Sequence, residues 1–116
     1  MNKSVRIHPS ILNADHSNIL SEIERVSKVS DLLHLDILDG KFAPNTSFSW
    51  EQAQYIISGS AIPVDAHLMV AEVDEIAPTY AEAGCASVTI HAEATKDIAA
   101  TLRAIRKIGA RAGLAL

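Results

Sequence analysis

Short apolar runs alternate with amphipathic stretches along the whole chain. Residues 5–12 hold β-branched and aliphatic positions and read as a first strand, although Pro9 removes a ladder donor and weakens a central placement. Residues 18–28 carry Ile19, Leu20, Ile23 and Val26 at helical spacing, with Ser17 as the expected N-cap. Residues 31–38 are a second strand. Ser49 is placed to cap a helix over 50–58 that Gly59 stops, and 62–70 is a third strand. A third helix covers 73–83 and ends at Gly84; Pro78 within it implies a kink or a late start. Residues 86–91 form a fourth strand, 96–108 a fourth helix ended by Gly109, and 111–116 a fifth apolar run. Strands recur roughly every 25 to 30 residues, as in βαβ units with right-handed crossovers and a parallel sheet.

That pattern sets the place for chemistry. Parallel strands put their C-terminal ends on one rim, where α/β folds bind ligands, and Ser10, His34, Asp36, His67 and His91 all fall toward that rim. His34 and Asp36 lie two apart in the second strand, so they share a face. Burying an imidazole beside a carboxylate costs free energy unless a metal, a substrate or each other pairs with them. A single polar strand end ordinarily bonds the backbone of the next loop. With His67 on the neighbouring strand, the three make an open site of imidazole and carboxylate ligands that suits Zn, Fe, Mn or Co.

Other polar positions carry less. Asp39-Gly40 is turn chemistry. His91 is open between a rim role and a bond to its loop. Ser10 can contact a substrate or a neighbouring backbone group. His8 and His16 read as surface histidines, and Met69 reads as core rather than pocket wall. Cys85, between Gly84 and Ala86, reads as a small buried residue rather than a nucleophile. The loop 41–48 is too apolar for a plain linker and should fold over something.

Composition narrows the class. The 116 residues suit one domain; 48% are hydrophobic and only 4% aromatic, which fits helices on an aliphatic sheet better than a β-sandwich. A net charge of −4 excludes a broadly basic nucleic-acid surface while leaving a small anionic substrate possible. One cysteine forms no internal disulfide and fits a reducing compartment. Residues 1–10 lack the apolar core of a leader and no run is long enough to span a bilayer, so the expectation is a soluble cytoplasmic protein with no membrane partner.

Four stretches match one family in order and spacing: Pro9-Ser10-Ile11-Leu12-Asn13-Ala14-Asp15, His34-Leu35-Asp36-Ile37-Leu38-Asp39-Gly40-Lys41-Phe42-Ala43-Pro44-Asn45, Val64-Asp65-Ala66-His67-Leu68-Met69, and Thr89-Ile90-His91-Ala92-Glu93-Ala94. Over essentially its whole length the chain resembles the ribulose-phosphate 3-epimerases. The resemblance implies a (β/α)8 TIM barrel and metal-assisted inversion at C3 of a ketopentose phosphate, interconverting D-ribulose 5-phosphate and D-xylulose 5-phosphate through an enediolate. It also implies one divalent metal held by His34, Asp36 and His67, Asp36 as one of two acid/base carboxylates, and Ser10 and His67 as substrate contacts. The family usually has methionine at Leu38 and serine at Asn13, which should mainly alter the pocket wall.

Length sets a further expectation. A TIM barrel takes about 250 residues, so residues 1–116 read as the N-terminal part of one barrel domain, with about four βα units and a fifth strand. The family's second acid/base aspartate, which is also its fourth metal ligand, and its phosphate loops come from later strands. This chain alone is therefore expected to be nearly inactive, and to form a homo-oligomer or to associate through exposed half-barrel edges. The alternatives are a D-allulose 6-phosphate epimerase and a noncatalytic metal-binding or assembly half-barrel.

Overall fold

Every second residue of three consecutive strands is aliphatic and buried, and this alternation builds the layers of the domain. The structure, a computed structural model, describes residues 5–116. Strands β1 (Leu33–Leu38), β2 (Val64–Met69), β3 (Ser87–His91) and β4 (Arg111–Ala115) form one sheet in the order β1-β2-β3-β4, all parallel. Helices α1 (Ile19–Ser27), α2 (Trp50–Gly59), α3 (Val73–Glu82) and α4 (Ile98–Ile108) occur in turn between or ahead of them. The result is the alternating, parallel architecture of part of a (β/α)8 barrel, and no described helix is long and apolar enough to cross a membrane.

Leu33, Leu35 and Ile37 of β1, Val64, Ala66 and Leu68 of β2, and Val88 and Ile90 of β3 are buried in one cluster with Ile23, Ile56, Ala77 and Ile105 from the helices. The opposite face carries the half-buried positions: His34, Asp36 and Leu38, then Asp65, His67 and Met69. Register aligns these sets row by row, His34 with Asp65, Asp36 with His67 and Leu38 with Met69. The polar residues thus stand side by side on the face that a barrel turns inward.

The stretch predicted as a first strand is extended but not a regular strand. Ser10 makes a single parallel bridge to His34, while the Asp31 amide donates to Ile7 O and the His34 amide to Pro9 O. Pro9 has no amide to donate, which interrupts the ladder in the segment that lies against β1. Residues 1–4, the start of the expected single-domain span, lie outside the described residues.

Two of the predicted helix caps differ from expectation, at the entry to α1 and at the end of α2. Asp15, rather than Ser17, caps the entry: its Oδ1 accepts from the Ser17 amide ahead of a single 3-10 turn, His16–Asn18, that leads into α1. Asp can satisfy an orphan amide two positions on, and the extra turn moves the cap back. Ser49 does cap α2, in a reciprocal capping box with Gln52. Gly59 is the last residue of α2 and has no left-handed conformation; a Cβ there would stand 2.8 Å from Leu20 Cδ1, so a larger residue would require the Leu20 side chain to move. Gly109 takes φ +118° as the C-cap of α4, a conformation that favours glycine. Pro78 lies inside α3, which begins at Val73, so the late start that Pro78 implied does not occur.

Candidate metal centre

Side chains from the inward faces of β1 and β2 converge on one oxygen. Asp36 Oδ1 lies 3.0 Å from His34 Nε2 and 3.0 Å from His67 Nδ1, and Ser10 Oγ donates to Asp36 Oδ2 at 2.9 Å. Two strands and the bridging segment ahead of β1 therefore contribute to one cluster. One donor atom from each of His34, Asp36 and His67 falls within 4.8 Å of the other two.

This donor set fits a divalent ion. Borderline-soft ions take imidazole nitrogen and carboxylate oxygen together. Both histidine nitrogens already lie 3.0 Å from the carboxylate oxygen, close enough for one ion to reach all three donors. The side chains are only 14 to 28% exposed, so an ion there would be held away from most of the solvent while one side stays open.

Each imidazole of the trio is also held at its other nitrogen. His34 Nδ1 lies 3.1 Å from Asp65 Oδ2, and His67 Nε2 lies 2.8 Å from His91 Nε2. Asp65 in turn accepts from Ser87 Oγ at 2.5 Å and from His8 Nδ1 at 3.3 Å. Burial acts to raise the Asp65 carboxyl, but the bonds from His34, Ser87 and His8 outweigh it and hold the group at about 2. The Asp65 contact likewise raises His34 above its ordinary value, against burial and with help from Asp36. His91 stacks on His67 with ring centroids 5.0 Å apart, and Phe42 packs on His91 at 5.1 Å.

A cleft of about 670 Å³ opens beside Asp36, lined by Leu12, Asn13, Leu38, Pro44, Asn45, Thr46 and Met69. The loop 41–48 does fold over something: Phe42 covers His91, and Phe48 is buried with His16 against it at 4.6 Å. Asp39 behaves as turn chemistry, its Oδ1 accepting from the Lys41 and Phe42 amides and its Oδ2 from the Ala71 amide, which ties the β1 turn to the end of β2.

The profile described as the ribulose-phosphate 3 epimerase family matches residues 6–116. The chain belongs to that family. It is 44% identical over 108 residues to the ribulose-phosphate 3-epimerase of Mycobacterium leprae, covering 93% of this chain and 48% of that protein. Against the ribulose-phosphate 3-epimerase of Bacillus subtilis it is 34% identical over 113 residues, covering 97% of this chain and 52% of that one. The chain spans about half the length of the curated relatives it matches.

For this family member, the four candidate residues Ser10, His34, Asp36 and His67 all meet in one place. Three further residues join them that reading the sequence missed or left open. His8 is half-buried against Asp65 rather than a plain surface histidine. His91, left open, touches His67. Asp65, not singled out at all, stands beside His34 in the same row of the sheet; its i, i+2 spacing to His67 repeats that of His34 and Asp36 and was the available signal. Met69 is half-buried in the cleft wall rather than in the core, as its place on the same face of β2 requires.

Proposed function

We propose that this chain carries the metal site and one acid/base carboxylate of a ribulose-phosphate 3-epimerase, acting between D-ribulose 5-phosphate and D-xylulose 5-phosphate. The observation that carries the reading is the convergence of His34 and His67 on Asp36 Oδ1 in a member of this family. The relatives at 34 to 44% identity bear the name ribulose-phosphate 3-epimerase.

In this reading His34, Asp36 and His67 hold one divalent ion, of Zn, Fe, Mn or Co type by their nitrogen and oxygen donors. When bound, the ion supplies Lewis-acid stabilisation of negative charge that develops on a substrate oxygen. Asp36 takes the proton from the carbon next to the ketone or returns it, and Ser10, on its second oxygen, fixes the direction in which the carboxylate faces. Ser10 and His67 also contact the sugar, which occupies the cleft walled by Leu38 and Met69.

Inversion needs a proton from the opposite face, hence a second acid/base group. Among the described residues, the side chains bonded to Asp36 are Ser10, His34 and His67, none of them a carboxylate. Residues 1–116, the N-terminal part of one barrel domain in this reading, therefore bind the ion but epimerise negligibly unless another segment or chain completes the inward face; a second copy would close the sheet but only duplicate His34, Asp36 and His67.

Co²⁺ titration followed by visible absorption and calorimetry, with a coupled epimerase assay in parallel, tests the proposal. Stoichiometric binding that is lost in His34→Ala and His67→Ala supports it. Failure of the wild-type chain to bind removes the metal reading, and turnover at an ordinary enzyme rate by residues 1–116 alone removes the claim that a second carboxylate is required.

A further inference from the structure

The trio above spans two rows of the inward face; the row of His34 also holds Asp65, a carboxylate with no part in the proton transfer. Asp65 Oδ2 lies 3.1 Å from His34 Nδ1 and 3.3 Å from His8 Nδ1, and Asp65 Oδ1 accepts from Ser87 Oγ at 2.5 Å. Both oxygens of a side chain only 14% exposed are thus fixed by three separate segments of the chain. An ionised carboxylate accepts and does not donate, so the proton between Asp65 and His34 belongs to Nδ1 of the ring. That leaves Nε2, the nitrogen facing Asp36 Oδ1 and the neighbouring His67, as the one able to give a lone pair to an ion.

We propose that Asp65 is the positioning residue of the metal centre: it holds His34 in the Nδ1–H form and at the ring angle that presents Nε2 beside Asp36 and His67. Three features distinguish this from a chance ion pair. Asp65 and His34 are register partners on adjacent strands, so backbone pairing alone brings them together. The carboxylate is tied on its far side to Ser87 of β3, so it cannot rotate away without breaking a second bond. The same oxygen that faces His34 also receives His8, so the segment ahead of β1 holds the carboxylate from a third direction. Partners of this kind to metal-bound histidines orient the ring and raise its basicity, and losing one costs roughly 10- to 100-fold in metal affinity.

The inference rests on the triad holding a metal, and the test separates the two. Wild type, Asp65→Asn and Asp65→Ala are titrated with Co²⁺ by calorimetry and visible absorption, with circular dichroism and urea unfolding to establish that each is folded. Asn keeps a neutral acceptor of the same shape, so Asp65→Asn should weaken binding by roughly tenfold and Asp65→Ala by roughly 100-fold. Affinities within twofold of wild type in both folded variants overturn the role of Asp65 while leaving the triad standing. No Co²⁺ binding by wild type overturns both. A readout that needs no variant is the ¹⁵N spectrum of the imidazoles in Zn²⁺-loaded wild type: a retained Nδ1–H proton on His34 supports the proposal, and metal on Nδ1 overturns it.

Discussion

Ser10 Oγ donates to Asp36 Oδ2 at 2.9 Å, joining residues 26 apart, while its own oxygen accepts from the Leu12 amide. The hydroxyl therefore steadies the carboxylate and the turn after it together. Removing it in Ser10→Ala deletes one exposed bond to a charged acceptor, about 1 kcal/mol. The expected result is about a fivefold weaker Co²⁺ affinity in calorimetry with little change in melting.

Asp36 has a larger role, because both histidines meet on its Oδ1. Asp36→Asn keeps the shape and removes the anionic donor. Its Co²⁺ affinity should fall by at least the roughly 100-fold that loss of a supporting partner can cost. Titration of the folded variant measures this, and near-normal binding would show that the carboxylate is not a ligand.

The core prediction concerns Leu35, fully buried on the helix-facing side of β1 between the two site residues. Leu35→Ala should cost about 3 kcal/mol through lost transfer energy and the cavity left behind. Urea unfolding would report it as a lower midpoint at unchanged slope.

Acid sensitivity should be set in part by Asp74 in the first turn of α3. Its Oδ1 accepts from Thr101 Oγ1 at 2.7 Å and from Thr95 Oγ1, and its Oδ2 accepts from the Lys96 amide at 3.0 Å, tying α3 to the start of α4. The Thr95, Lys96 and Thr101 bonds hold its carboxyl below the ordinary value. A carboxyl depressed in the folded state stabilises fully above the unfolded value, about 3.9, and loses that contribution as pH falls through the folded value. Asp74→Asn should therefore be less stable than wild type by about 1 kcal/mol at pH 7, and the difference should shrink as pH falls below the ordinary carboxyl range. Melting curves from pH 2.5 to pH 7 would show whether the two lines approach each other.

Cys85 is buried, and burial together with the nearby Asp65 charge pushes its thiol up to about 12. The thiolate is the reactive form. At pH 8 a disulfide reagent should modify the native protein far more slowly than the urea-unfolded chain. Rapid labelling of folded protein would contradict the buried placement.

Much of this was legible from residue order alone. The alternation of apolar runs gave the βα repeat because a parallel sheet covered by helices needs aliphatic positions at period two in strands and 3.6 in helices. His34 and Asp36 were recognisable because two polar groups on one strand face conflict with burial unless something pairs with them. Residues 5–12 were over-read, since β-branched composition promises a strand while Pro9 cannot complete the ladder.

What only the tertiary structure decided is which side chains meet across strands. Register places His34 beside Asp65 and Asp36 beside His67, and slipping either strand by one residue would turn its two site residues to the helix-packed face. Local sequence says that these residues share a period; it contains no term for the neighbour 31 positions away. The roles of His8, Asp65 and His91 exist only through such contacts, so they became visible once the strands were paired, whereas the trio of His34, Asp36 and His67 already announced itself in the chain.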